Sequence, residues 1–180
     1  MAAAYTGEAL PAASTSRDRF MAATVGWWLD RLDPDIRIVV MAHNAHIQRT
    51  PVVYGGQTLT LPMGLHLARS LGAGYLAVGL TSGAGRTAAL MPAPDAEPYG
   101  FAIDDMELAP PEPGSIEADF EAAGIGLAAA NLRAAPGAST GSGVPDRVRM
   151  DSGYIETPVL QAFDAIVHVP RSTLAGGLWF

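Results

Sequence analysis

Residues 36–46 read IRIVVMAHNAH, and this stretch decides the predicted fold. Its first seven residues, 36–42, are almost continuously apolar and mostly β-branched, which indicates a strand buried on both faces. Strands of this kind are typical of parallel sheets that helices cover on each side. Two histidines, His43 and His46, follow directly at the carboxyl end of the predicted strand.

The chain after this stretch continues the pattern. Residues 61–71 are a predicted helix, with Pro62 in its first turn and Gly72 as its C-terminal cap. Residues 75–80 are the next predicted strand, so the order makes a βαβ unit whose strands run parallel. A further helix is predicted at 17–32 and a further strand at 165–169. We therefore expect an α/β fold, a mainly parallel sheet with flanking helices.

The length of 180 residues favours a single domain. Residues 1–15 show no periodicity and are predicted to be a disordered lead-in, and residues 16–180 are predicted to form one α/β domain. About residues 91–114 are rich in proline and in acidic side chains, and they contain no basic residue. Such a segment cannot be buried, so we expect an exposed excursion with a short strand near residues 99–103.

The composition excludes several classes of protein. The chain has no cysteine, which excludes disulfides, thiolate zinc sites and cysteine nucleophiles. All 11 basic residues are arginine, which excludes lysine Schiff bases and P-loops. A net charge of −7 argues against binding to nucleic acid or to an anionic membrane surface. Without a secretory signal or an apolar run of ~20 residues, the predicted location is the cytoplasm.

His43 and His46 are the predicted catalytic residues. In open α/β sheets, ligands bind beyond the carboxyl ends of the strands, and histidine exchanges protons near neutral pH. The alternative is that one histidine caps the strand end and the other is solvated. A zinc site is a third possibility, but it needs another protein ligand that this spacing does not supply. We predict no metal and no cofactor.

The residues around the histidines are candidates for binding substrate. The Asn44 amide can orient a carbonyl group, or it can support a turn. Arg49 can bind a substrate carboxylate, or it can pair with a surface acid. Gly83 and Gly85 follow the strand at 75–80 and predict a tight turn, where the backbone can closely approach a ligand or a neighbouring strand. No GxSxG motif is present, which argues against a serine hydrolase of the α/β type.

The chain resembles the erythromycin esterase family over roughly residues 16–172, with a poor match in the acidic segment. Five stretches carry the resemblance: Arg17-Asp18 with Met21, VVMAHNAHI (39–47), PMGLHLARSLG (62–72), YLAVGLTSGAG (75–85) and AFDAIVHVP (162–170). The resemblance implies a hydrolase of carboxylic esters, macrolide lactones among them, in which a histidine activates water without a covalent intermediate. Asp18 joins Asn44, Arg49, Gly83 and Gly85 as a predicted substrate-binding residue.

The sequence departs from this family at one point. The histidine base of the family lies in an N-terminal region with a GExxHG motif, which this sequence does not contain. The chain therefore resembles the C-terminal part of a member, an esterase-like half or fragment of a larger domain, and we expect feeble or no ester hydrolysis from it alone.

Two functions stay open at this point. The first is ester or lactone hydrolysis assisted by His43 and His46, whose individual roles the sequence does not decide. The second is an inactive remnant that binds a small ligand or a partner chain. The predicted partners are accordingly a small ester or lactone, a second copy of the chain, or the missing N-terminal segment.

Overall fold

The computed structural model describes residues 16–95, 98, 100–133 and 143–174. The predicted lead-in at residues 1–15 lies outside these ranges. The helices are α1 (Ser16–Leu29), α2 (Asn44–Ile47), α3 (Met63–Leu71), α4 (Ile116–Ala122) and α5 (Val159–Ala162). The strands are β1 (Val52–Tyr54), β2 (Gln57–Thr60), β3 (Val78–Pro92), β4 (Phe101–Glu107), β5 (Ala128–Asn131), β6 (Arg147–Met150), β7 (Gly153–Glu156) and β8 (Ala165–Ser172).

The described strands form two four-stranded sheets. The first has the order β2-β1-β7-β6 and is antiparallel throughout. The second has the order β4-β3-β8-β5, and β3 with β8 is its one parallel pair. The fold is therefore mixed α/β, and the prediction of a mainly parallel sheet is wrong. Two-residue links between β1 and β2 and between β6 and β7 make hairpins, whose strands can only run antiparallel.

The prediction of a strand at residues 36–42 is also wrong. These residues form neither a helix nor a strand, and they belong to neither sheet. Val39 is 86% exposed and Met41 is 94% exposed, although the apolar pattern predicts burial on both faces. An apolar pattern of this kind predicts that neighbouring strands bury the segment, and no described strand pairs with it. The predicted parallel partner at 75–80 instead starts β3 and pairs with β8.

The two helices that precede β3 pack together. The helix predicted at 61–71 is observed as α3, and the one predicted at 17–32 is observed as α1. A small core of Ala22, Met63 and Leu67 joins them. Phe20 in α1 is 72% exposed, so this large apolar side chain does not pack on the sheet. The short Ala22 side chain allows the close approach of α1 to α3 instead.

The main core lies between the sheets, α4 and α5. Its buried members are Val52, Ala77, Ile116, Phe120, Val148, Ile155, Val159, Ala162, Phe163 and Ile166. The helix α4 begins where the Ser115 hydroxyl accepts a hydrogen bond from the Ala118 N–H, an N-cap of the usual kind. This core fixes the positions of β3, β6 and β8, the three strands that surround the candidate site.

The acidic segment forms an outer ribbon. Its middle part is β4, which pairs with the second half of β3, and the described residues of 91–114 are mostly exposed. No helix in the described ranges is long and apolar enough to cross a membrane. The cytoplasmic location stays a prediction from the sequence.

Candidate functional site

His46 is held by a buried carboxylate. The first turn of α1 places Asp18, which is 5% exposed, so that its Oδ1 lies 2.8 Å from His46 Nδ1. The same oxygen accepts the Met63 N–H at the start of α3, at 2.9 Å. A carboxylate accepts here, so the neutral His46 ring carries its proton on Nδ1, which leaves Nε2 as an acceptor. The arrangement gives His46 the tautomer of a general base.

His43 is held in the opposite tautomer. It is the N-cap of α2, and its Nδ1 accepts a hydrogen bond from the Ala45 N–H at 3.2 Å. The proton of the neutral ring therefore lies on Nε2, which is 3.6 Å from Asp151 Oδ1. His43 can thus donate a hydrogen bond through Nε2, where His46 can accept a proton through the same atom.

Asp151 occupies the hairpin between β6 and β7. Its φ is 53°, in the left-handed region, and it is the one such residue other than glycine among those the structure describes. Backbone strain of this kind costs about 1–3 kcal/mol and persists where surrounding contacts impose it. The strained turn places the Asp151 carboxylate opposite the His43 ring.

Asn44 has a structural position. It is 7% exposed; its Nδ2 donates to the Leu80 carbonyl at 2.8 Å, and its Oδ1 accepts the Leu80 N–H at 3.0 Å. The side chain therefore pairs with the edge of β3 as a peptide group of a neighbouring strand does. Both ends of the amide are engaged by β3, and the predicted role of Asn44 in binding substrate stays a proposal.

Arg49 points away from the histidines. Its Nη1 pairs with Asp164 Oδ1 at 2.5 Å, and Arg133 Nε reaches the same oxygen at 2.5 Å. Asp164 Oδ2 accepts the Ala77 N–H at 2.7 Å. Burial raises the pKa of Asp164, but the Arg133 and Ala77 hydrogen bonds and the two positive charges outweigh it, so the pKa lies below its ordinary value. The structure thus places Arg49 in an ion-pair network.

Gly83 and Gly85 lie within β3, not in a turn. Gly85 has a φ of 109°, and a Cβ there would lie 2.0 Å from the Ser172 carbonyl oxygen of β8. At Gly83 a Cβ would lie 3.4 Å from both the His168 ring and the Pro170 carbonyl oxygen. The predicted tight turn is wrong because these glycines admit β8 at close range, and the strand continues through them.

A cavity of about 390 Å³ lies in front of His43, and we call it the His43 cavity. Its lining includes Asn44, Thr81, Ser82, Arg149 and Asp151, but not His46, whose ring is engaged with Asp18. Sequence reasoning missed Arg149 and Asp151. The available signal at residues 147–156 is weak: RVRM and GYIE are two short segments with the turn-forming residues Asp151 and Ser152 between them.

Buried polar groups lie behind this cavity. Glu117 is fully buried; its Oε1 accepts from the Thr81 hydroxyl and, at 3.0 Å, from the Arg149 N–H. His168 is 3% exposed and stacks on Phe120 with 4.5 Å between ring centroids. Burial lowers the pKa of His168, against the opposing charge of Glu117, so this ring is neutral near pH 7. His168 lies on β8, between β3 and β5.

An apolar groove of about 760 Å³ runs beside β3. Residues 36–42 form one wall, and Leu76, Val78 and Leu80 form the other, with further residues from α1 and α3. Each of these three leucine or valine side chains is about half exposed or more. The N–H and C=O groups of Leu80 bond Asn44 on the side of β3 that faces away from β8. Backbone groups two residues apart in a strand point to the same side, so those of Val78 face the groove as well.

The described residues contain no group of three histidine, aspartate or glutamate side chains that could hold a metal ion. The pairs His46 with Asp18 and His43 with Asp151 each bring one nitrogen and one carboxylate together. A structural or catalytic zinc site takes at least three protein ligands. Each of these pairs falls short of that number among the described residues.

Known proteins include relatives of this chain. The family model of erythromycin esterase matches residues 2–172. Erythromycin esterase type II of Escherichia coli is 36% identical over 160 residues, which are 89% of this chain and 38% of that protein. Erythromycin esterase type I of Escherichia coli is 33% identical over 167 residues, which are 92% of this chain and 39% of that protein.

Solved structures give the same result. An erythromycin esterase EreC histidine-to-asparagine mutant in its open conformation superposes with a TM-score of 0.83 at 27% identity, over 100% of this chain and 43% of that one. A succinoglycan biosynthesis protein shares the fold at 19% identity, with a TM-score of 0.64, over 87% of this chain and 38% of that one. The chain thus spans about two fifths of the length of the relatives it matches. It belongs to the erythromycin esterase family.

Proposed function

We propose that this chain is an erythromycin esterase-like hydrolase, or the part of one, that acts on carboxylic esters or macrolide lactones by histidine-assisted attack of water. One observation carries the proposal: two histidines three residues apart are fixed in opposite tautomers. Ester hydrolysis needs one group that takes a proton from water and one that stabilises the charge on the carbonyl oxygen. His46 and His43 have these two capacities.

The proposed steps use only these groups. Water attacks the carbonyl carbon while His46 Nε2 takes its proton, and Asp18 stabilises the resulting imidazolium. The carbonyl oxygen becomes an oxyanion that accepts a hydrogen bond from His43 Nε2–H, while the Ala45 N–H orients the ring through Nδ1. Collapse of the intermediate expels the alkoxide, which takes the proton back from His46. The products are an alcohol and a carboxylic acid, and the acid releases its proton to solvent at neutral pH.

The other predicted residues support the site in different ways. Asp18 orients His46, and Asn44 fixes the start of α2 against β3. Gly83 and Gly85 allow the close pairing of β3 with β8 that forms the wall behind the site. That His43 and His46 act in one shared cleft is part of the proposal. So is a slow rate for the chain by itself, since the GExxHG histidine that the family resemblance implies is not in this sequence.

Hydrolysis of p-nitrophenyl acetate and of erythromycin by the purified chain tests the proposal. We expect weak turnover that His46→Asn abolishes and that His43→Asn lowers by at least tenfold, because each change removes one of the two roles. His66→Asn, on α3, is the matched control and should leave the rate unchanged. A rate that survives both His43→Asn and His46→Asn would refute the assignment of these roles.

A second candidate function is capture of a partner chain without catalysis. The apolar groove favours it, because exposed apolar surface beside an unpaired strand edge promotes association. The occupant would be an extended apolar segment, either a second copy or the remainder of a longer chain. Sedimentation of the chain as a monomer at all concentrations, together with turnover, would leave the hydrolase as the better proposal.

A further inference from the structure

We propose that Arg149 forms a carboxylate-binding subsite in the His43 cavity. Arg149 is 5% exposed and lines this cavity together with His43 and Asp151. The natural ligand would be the acid that ester hydrolysis releases, and this assignment rests on the proposed function. Carboxylate binding itself does not depend on turnover.

Arg149 is a buried cation without an acidic partner among the described residues. Its Nε donates to the Ser82 carbonyl at 3.1 Å, and its Nη2 donates to the Ala109 and Gly83 carbonyls at 2.8 and 3.4 Å. The guanidinium carbon lies 4.8 Å from the centroid of the Tyr154 ring. Its Nη1 is buried and has no hydrogen-bond partner in the described structure. Neutral carbonyls and an aromatic face hold the side chain in place, and they leave Nη1 without an acceptor.

The remaining charges on the cavity are already paired. Arg86 binds Asp105 through Nε at 2.7 Å, and the Asp151 carboxylate faces His43 Nε2. The nearby carboxylate of Glu117 is engaged through Oε1 by the backbone N–H of Arg149 and by the Thr81 hydroxyl. Its buried Oε2 has no hydrogen-bond partner among the described residues, so it does not bond the guanidinium. Arg149 is therefore the lining cation that a ligand of negative charge can satisfy.

The geometry of the guanidinium selects the ligand class. Its planar array of N–H donors matches the two oxygens of a carboxylate, and the Nη1 hydrogens are the free part of that array. Cation burial without a counter-charge is unfavourable, so an anion that enters gains the full charge-assisted hydrogen bond. The strand β6 holds Arg149 through the β7 hairpin and Glu117, so the side chain is positioned before any ligand arrives.

Binding of benzoate to the purified chain, measured by titration calorimetry against the neutral analogue benzamide, is the experiment. We expect benzoate to bind and benzamide to bind at least tenfold more weakly, because only benzoate offers a charged oxygen pair. Arg149→Met should weaken benzoate binding by about tenfold or more. Arg147→Met is the matched control, since Arg147 lies two residues away on β6 and pairs with Glu112 and Asp146.

A second measurement keeps the test decisive if Arg149→Met fails to fold. In the unaltered chain, the Nε–Hε resonance of Arg149, assigned with Arg149→Lys, should shift saturably with benzoate and not with benzamide. Unchanged affinity in folded Arg149→Met, or a resonance that benzoate leaves in place, would overturn the proposal. Neither readout needs ester hydrolysis, so loss of the proposed enzymatic activity and loss of this subsite can be told apart.

Discussion

Replacing Asp164 by alanine is expected to destabilise the fold by about 2–4 kcal/mol at pH 7. The change leaves the Ala77 N–H without its acceptor in a residue that is 1% exposed, which costs about 1–3 kcal/mol. It also removes the partner of Arg49 and Arg133, whose side chains are 29% and 45% exposed, so each loss is screened to about 0.5 kcal/mol. Urea unfolding of both proteins measures the difference.

The pH dependence separates the charge from the hydrogen bond. The pKa of Asp164 is lower in the folded protein than its ordinary value of 3.8, so its charge contributes stability above about pH 4 that is lost as pH falls further. The difference in the free energy of unfolding between the original chain and Asp164→Ala should therefore become smaller below pH 4. Asp105→Asn is the matched control, because it removes an exposed pair with Arg86 and should cost less than about 0.5 kcal/mol. A gap under 1 kcal/mol at pH 7, or one that stays constant down to pH 3, would refute this reasoning.

Three further predictions concern other parts of the fold. Gly85→Ala should cost at least about 2 kcal/mol more than Gly124→Ala in urea unfolding, since both have positive φ but only Gly85 would place a Cβ against β8. Burial foremost, then the charge of Asp164, raises the pKa of Tyr75 to about 12 against the charge of Arg49. In an absorbance titration of tyrosine ionisation, the step near pH 12 should accordingly be missing from Tyr75→Phe. Met41→Asp should reduce concentration-dependent association in analytical ultracentrifugation, because Met41 is 94% exposed on the groove wall, and unchanged association would exclude the groove as the contact.

Local sequence signals predicted α1, α3 and β8. The helix α3 begins after Pro62 and ends at the Gly72 cap, as Pro and Gly at those positions indicate. The strand predicted at residues 165–169 is observed within β8, which continues to Ser172. These features depend on residues next to each other in the chain, which the sequence displays directly.

Pairing between distant segments was harder to predict. An apolar run at residues 36–42 indicates that two faces require cover, but it does not identify the strand that provides it. Glycines at 83 and 85 predict a turn when taken alone, and only the approach of Ser172 shows why they lie inside a strand. Arg149 and Asp151 reach the cavity through a hairpin whose strands are four residues each, too short for a clear alternation.

The parallel pairing of β3 with β8 also has a kinetic consequence. The Ala77 N–H and the Asp164 carboxylate, which bond beside this pairing, are 87 residues apart in the chain. Contacts of such separation form slowly, because a large loop must close before they gain any stability. The closure entropy grows only with the logarithm of loop length, by about 0.6 kcal/mol for each doubling. The acidic ribbon around β4 lies inside this loop, so relatives can lengthen or shorten it during evolution with little effect on the sheet behind His43.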